Sequence, residues 1–276
     1  MNRKLPNEFI FSLVSLALAI VIIHSTFVLH VRPMAEAIMA ADREKMAADP
    51  NYVSQRSIYV VIKDYEQEAE IVLMVWALAL MGYKALAQRI EQRALQNAPL
   101  KLPDGMKILP EDTREYARQI EGLPADERAL LVARAVLAAL ARFGATRNVQ
   151  DASSVAHSVC QSEAERLDSE LSMLRYIAWA IPAIGFIGTV RGIGDALSQA
   201  HKAVTGDISG VTEGLGVAFN STLIALLLSI LLMMLLQQLQ TVQERHVLDT
   251  ETWLDQRVIR NLQARLGALG FYRGVV

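Results

Sequence analysis

The chain has 276 residues, 53% of them hydrophobic and 20% charged, with a mean hydropathy of +0.27. That is richer in apolar residues than an ordinary soluble domain and fits a polytopic membrane protein with polar loops. A formal net charge of −2 gives no reason to expect nucleic acid as a partner, and the lone Cys160 excludes an internal disulfide and leaves a cysteine-ligated metal cluster unsupported.

In chain order, Arg3 and Lys4 precede a run from Phe9 to Val31 without a charged residue. This run is longer than the ~7–15 apolar residues of a signal peptide, so residues 1–31 are read as an N-terminal segment and a retained first span, despite the small-x-small pattern Ala35-Glu36-Ala37. His24 and His30 fall in its second half. A relay role for His24 is one reading, and a neutral imidazole bonded to a neighbouring helix is the preferred one. Residues 32–69 form a polar extracytoplasmic segment, helical from Pro33 to Ala48 and turning at Asp49-Pro50-Asn51. The uncharged stretch Ile71 to Tyr83 is short for a span by itself; with snorkelling ends, residues 70–87 make a second one. Residues 88–174 are expected to be a helical cytoplasmic domain. Within it, Pro124-Ala-Asp-Glu is a good first turn, Gly144 a plausible stop, and Leu130, Leu131, Ala133, Val136, Leu137, Leu140 and Phe143 an apolar stripe at helical spacing. A further helix from about Ser153 leads toward the next span.

Residues 175–198 and 213–237 then form two apolar runs around a short extracytoplasmic loop, 199–212. No residue from Gly214 to Gln243 is charged, which exceeds the ~20 residues a spanning helix needs. Arg191 lies close enough to the end of the third span to snorkel. The tail 238–276 continues helically, with apolar spacings that suit packing against neighbouring subunits. Lysine and arginine concentrate in 84–175 and occur at both ends, which places both termini and that segment inside. The expected fold is all-α: four transmembrane helices, the longest extending into a helical cytoplasmic domain.

The candidate chemistry is sparse. The histidines are scattered, no acid or histidine pair has metal spacing, and the glycines around residue 188 do not fit a nucleotide loop, so neither an enzyme nor a metal nor a cofactor is expected. Gly188 and Gly192 are four apart, with Gly185 on the same helix, a pattern that lets membrane helices approach closely. Pro182 removes a backbone donor and is expected to leave a carbonyl free for a bend or a hydrated spot. Thr189 and Thr222 lie about 21 to 23 Å from the same face by helix rise, and Asn220 and Ser221 add polar atoms beside Thr222. Such groups are costly in a membrane unless they face a partner or a pore. Arg191, Asp195 and Glu213 mark the outward end, with Asp195 paired to Arg191 at i, i+4. The central parts of the spans hold no Asp or Glu, so a titrating carboxylate is expected from another chain.

Pro182-Ala-Ile-Gly185-Phe-Ile-Gly188-Thr189-Val190 with Gly192-Ile193, followed by Ala218-Phe-Asn-Ser-Thr222-Leu-Ile-Ala-Leu226, resembles the two signature segments of the MotA/TolQ/ExbB proton channel family. Val217 stands where the ExbB and TolQ branches usually carry glutamate, Ala225 replaces a common glycine, and Arg191 a usually apolar residue. The resemblance implies a multi-pass subunit of the bacterial inner membrane that forms a ring, a pentamer, around a single-span partner of the ExbD, TolR or MotB kind. The partner's intramembrane aspartate would carry the proton, Thr189 and Thr222 would line the channel with Ser221 and Asn220, and proton flow would become mechanical work. The alternative from the residues alone is a non-conducting scaffold or sensor, in which the hydroxyls serve only helix association.

Overall fold

A computed structural model of the chain describes residues 4–49, 52, 57–97, 100 and 107–263. Arg3, the turn residues Pro50 and Asn51, most of the loop around 99–106 and the tail beyond Gln263 lie outside the described residues. The described residues form helices in chain order: α1 (Lys4–Thr26), a wide π turn (Phe27–Val31), α2 (Arg32–Ala48), α3 (Ile58–Ile62), α4 (Tyr65–Gln96), α5 (Thr113–Glu121), α6 (Ala125–Arg128), α7 (Leu131–Thr146), α8 (Val149–Glu170), α9 (Ser172–Ser198), α10 (Ala200–Ala203) and α11 (Ser209–Arg257). They include no strand, only an isolated parallel bridge between Ile108 and Leu262. The all-α expectation is met, and four helices are long and apolar enough to cross a membrane. Two compact units emerge, one from residues 1–83 and 172–238, the other from 84–171 and 239–276.

The first unit contains the apolar helices. Large side chains such as Leu13, Val21, Trp179, Phe186, Phe219 and Ile230 are exposed on it, the arrangement expected where lipid or a membrane partner replaces water as the surroundings. The buried residues combine large aliphatics such as Leu174, Ile177, Ile181 and Leu232 with a run of small ones, Ala77, Gly185, Gly188, Gly192, Ala218, Ser221 and Ala225. Pro182 lies inside α9 and cannot bond the carbonyl of Ala178 one turn back. Contrary to the expectation from the sequence, that carbonyl is not left open. The Ser229 hydroxyl of α11 donates to it at 3.1 Å. On the loop between α10 and α11, the Asp207 carboxylate accepts from the Ser209 backbone N–H at 3.1 Å and satisfies a donor that the first turn of α11 leaves free.

The second unit has a conventional hydrophobic core. The stripe on α7 buries Leu131, Val136, Leu140 and Phe143 against Ile120 of α5, Cys160 of α8, and Leu254 and Val258. Two expectations are corrected here. Gly144 does not stop α7, which continues to Thr146 and closes on Arg147 in the left-handed region (φ 56°), whose N–H bonds the Phe143 carbonyl at 2.8 Å. Glycine is needed at 144 for closeness, since a Cβ there would lie 2.6 Å from the Thr113 hydroxyl oxygen. The tail residues Val247, Leu254, Val258 and Leu262 pack into the core of their own chain, so that face of the tail is already covered, while Val242 and Leu248 remain exposed. Glu163, 4% exposed, accepts from Arg134 at 2.5 Å and from the Arg166 Nε at 3.1 Å. A charge so buried is tolerated because it is paired.

Candidate channel site

The site begins with what glycine permits. A Cβ built on Gly188 would lie 1.8 Å from the Ser221 Oγ, one on Gly192 2.5 Å from the Ala218 backbone nitrogen, and one on Gly214 2.6 Å from the Ala196 nitrogen. Real Cβ atoms do not come so near, so α9 and α11 touch backbone to backbone at Gly192 and Gly214, and at Gly188 the α9 backbone meets the Ser221 side chain. Gly185 completes it. A Cβ there would meet the Ala225 Cβ at 2.4 Å, so the small residue at 225 keeps the contact that a glycine would also allow.

That closeness brings the hydroxyls together. Thr189 and Thr222, from different helices, bond to each other through their Oγ1 atoms. Thr189 Oγ1 lies 3.2 Å from the Ala218 carbonyl and 3.2 Å from the Gly185 carbonyl. Thr222 and Ser221 reach the same Gly185 oxygen at 3.3 and 3.4 Å. Three hydroxyls therefore converge on one carbonyl. Each can relay a hydrogen bond, but none can hold a proton as an acid or base near neutral pH. Ser221 is fully buried, and Thr189, Thr222 and Asn220 are half-buried.

A third helix closes the site, and its role escaped the sequence reading. Glu66 of α4 accepts two hydrogen bonds from Arg191, Nε and Nη2 each at 2.7 Å, the bidentate geometry that suits guanidinium and carboxylate. Asp195, the local partner expected for Arg191, lies farther off at 3.7 Å. Glu213 stands apart from this group, 3.7 Å from Arg43. Gln67 is fully buried. With its amide turned to satisfy both ends, it accepts from the Ser221 backbone N–H at 3.1 Å and donates to the Asp64 carbonyl at 3.3 Å. Glu68 bonds Arg32 and the His24 Nδ1, the latter at 2.7 Å, and Arg32 sits 4.3 Å over the Tyr65 ring. His24 thus binds a neighbouring helix.

One further carboxylate is buried. Glu70 is 0% exposed, neither of its oxygens has a hydrogen-bond partner, and its Oε1 lies 3.3 Å from where a Gly185 Cβ would be. The expectation that no acid of this chain reaches the interior of the spans is therefore corrected. The signal was present in Glu66-Gln67-x-x-Glu70, which puts polar residues on one helix face.

Among the described residues no group of histidine, cysteine and acidic side chains could hold a metal ion. The architecture is that of a multi-pass membrane protein, with four apolar helices and a polar seam inside them. Residues 128–252, which include both motifs and most of α7 to α11, match the family described as the MotA/TolQ/ExbB proton channel family, in agreement with the resemblance carried by the two motifs. Neither the curated proteins nor the solved structures contain a match to the chain.

Proposed function

We propose that this protein is a stator-type subunit of a proton channel in a bacterial inner membrane, coupling ion flow to mechanical work on a single-span partner with an intramembrane aspartate. The observation that carries the reading is the Thr189–Thr222 hydroxyl pair, formed between two helices and set on the Gly185 carbonyl. In this reading the pair solvates the partner's aspartate as it gains and loses a proton. Each protonation removes a charge from a low-dielectric site and shifts the position the partner prefers. A homo-oligomeric ring, a pentamer by family resemblance, supplies several such positions. The segments proposed as membrane-spanning are those read from the sequence, with the second span starting before Glu70 because that residue abuts Gly185, and with both termini in the cytoplasm.

Proton flux into liposomes holding this chain and its one-span partner tests the proposal. Thr222→Val and Thr189→Val should assemble normally and lose at least ~10-fold in flux, as should replacing the partner's aspartate by asparagine. Full flux in both threonine variants would end the assignment.

A second reading draws on a specific observation, because each threonine hydroxyl already has partners within α9 and α11. A non-conducting scaffold needs no more than that. An assembled complex, with any plug removed, that passes no protons would favour it.

A further inference from the structure

We propose that Glu70 is a proton-binding carboxyl that this chain supplies itself, seated against Gly185 beside the hydroxyl cluster. For its role the inference rests on the channel reading, and it adds what the threonines lack, a group that gains and loses a proton inside the membrane.

The placement is the first argument. Gly185 lies ten residues after Arg175, about 15 Å along a helix, near the middle of a hydrocarbon layer roughly 30 Å thick. Glu70 abuts it from α4, while Thr189, Ser221 and Thr222 bond its carbonyl. One glycine thus has a carboxyl at its α-carbon and three hydroxyls at its oxygen, and any side chain at that position would come between them.

The second argument is electrostatic. An unpaired carboxylate in an apolar site is among the costliest groups a protein can bury, and Glu70 has no compensation. On its own helix the facing charge is Glu66, of the same sign. On α9 the cation is Arg191, both of whose bonds to α4 go to Glu66. On α1 and α2, His24 and Arg32 are held by Glu68. On α11 no residue from Gly214 to Gln243 is titratable. The neutral acid is the form that suits this site, and the carboxylate becomes affordable when a donor or cation reaches it.

The third argument separates a proton from a metal cation. Sodium and its relatives need several oxygen ligands at once, whereas the Gly185 position that Glu70 abuts offers besides it only the Ala225 methyl and one carbonyl oxygen, that of Ser221, and neither Glu70 oxygen has a hydrogen-bond partner. A proton needs only one oxygen. In the exchange the acid O–H bond breaks and the proton joins a water oxygen, which passes one of its own protons on to the partner's aspartate or to bulk water, so Glu70 gains the negative charge that this final acceptor loses.

The test is infrared titration of the whole chain with its partner in liposomes, with proton flux read on the same preparations. Wild type should show a buried carboxylic-acid carbonyl band that Glu70→Gln removes and Glu70→Asp shifts without removing. Flux should fall at least ~10-fold in Glu70→Gln and recover in part in Glu70→Asp. An unchanged band in Glu70→Gln would overturn the inference, as would flux lost in Thr222→Val but intact in Glu70→Gln. Loss of the band on adding sodium at fixed pH would overturn it in favour of a sodium site. The band without flux in the wild type would uphold the carboxyl while removing the channel reading.

Discussion

Single atoms decide the contact between α9 and α11. At Gly188 an added methyl would overlap the Ser221 hydroxyl, with the Glu66 Cγ a further 3.1 Å neighbour, so neither helix can yield without moving backbone. Gly188→Ala should lower stability by at least about 1–3 kcal/mol, measured as loss of the assembled, detergent-resistant complex. Gly194 has open space around its α-carbon, so Gly194→Ala is the matched control and should cost nothing measurable. Ser229 offers a subtler case. Ser229→Ala removes the donor to the carbonyl freed by Pro182, and a buried unpaired carbonyl costs about 1–3 kcal/mol; a thermal melt of the solubilised protein should fall accordingly. Adding Pro182→Ala restores the helix's own donor, and the double variant should regain much of the loss.

Helices were the legible part of this sequence, and their partners were not. The α7 stripe was visible because a core-facing helix repeats every three or four residues, and the structure buries Leu131, Val136, Leu140 and Phe143 accordingly. Gly144 misled because glycine ends helices often, and nothing local reveals that Thr113 of α5 packs against it. Arg191 was legible in part: its i, i+4 neighbour Asp195 is visible in the sequence and pairs with it at 3.7 Å, whereas the bidentate partner Glu66 lies 125 residues away. In the sequence Glu70 stands at the charged edge of a short apolar run, and a window of composition cannot tell an interfacial acid from one that a neighbouring glycine lets inside. Element α5 carries its own prediction. Burial, then the nearby Asp112 and Glu115, push the Tyr116 phenol above its ordinary value. The folded unit therefore keeps that proton at a pH where the unfolded chain gives it up. The contribution is complete below the usual tyrosine value of about 10 and fades as pH rises from there through the folded value. Tyr116→Phe should flatten the alkaline fall in melting temperature, and an equal fall in both proteins would contradict this.

For the molecule as a whole, the four apolar helices and the distribution of lysine and arginine are what the proposed topology rests on, and labelling can check it. Cys160 is buried, so the native thiol gives little background. Val204→Cys, at an 89% exposed position between α10 and α11, should react with a membrane-impermeant maleimide on intact spheroplasts. Ala145→Cys, exposed near the end of α7, should react only after permeabilisation. The reverse pattern would invert the proposed orientation and with it the side from which protons reach Glu70.

The glycine seam has a mechanical consequence. Side chains between helices act as springs, because rotamers can change as the helices slide. Where Gly192 and Gly214 set backbone against backbone, there are no springs, and α9 and α11 form one stiff beam with no slack for a stroke. Movement must then come from what leans on the beam, and α4 leans on it through a hydrogen-bonded glutamine, an ion pair and a single uncompensated acid. Discharging or recharging that acid changes how firmly α4 is held, while the beam keeps its shape.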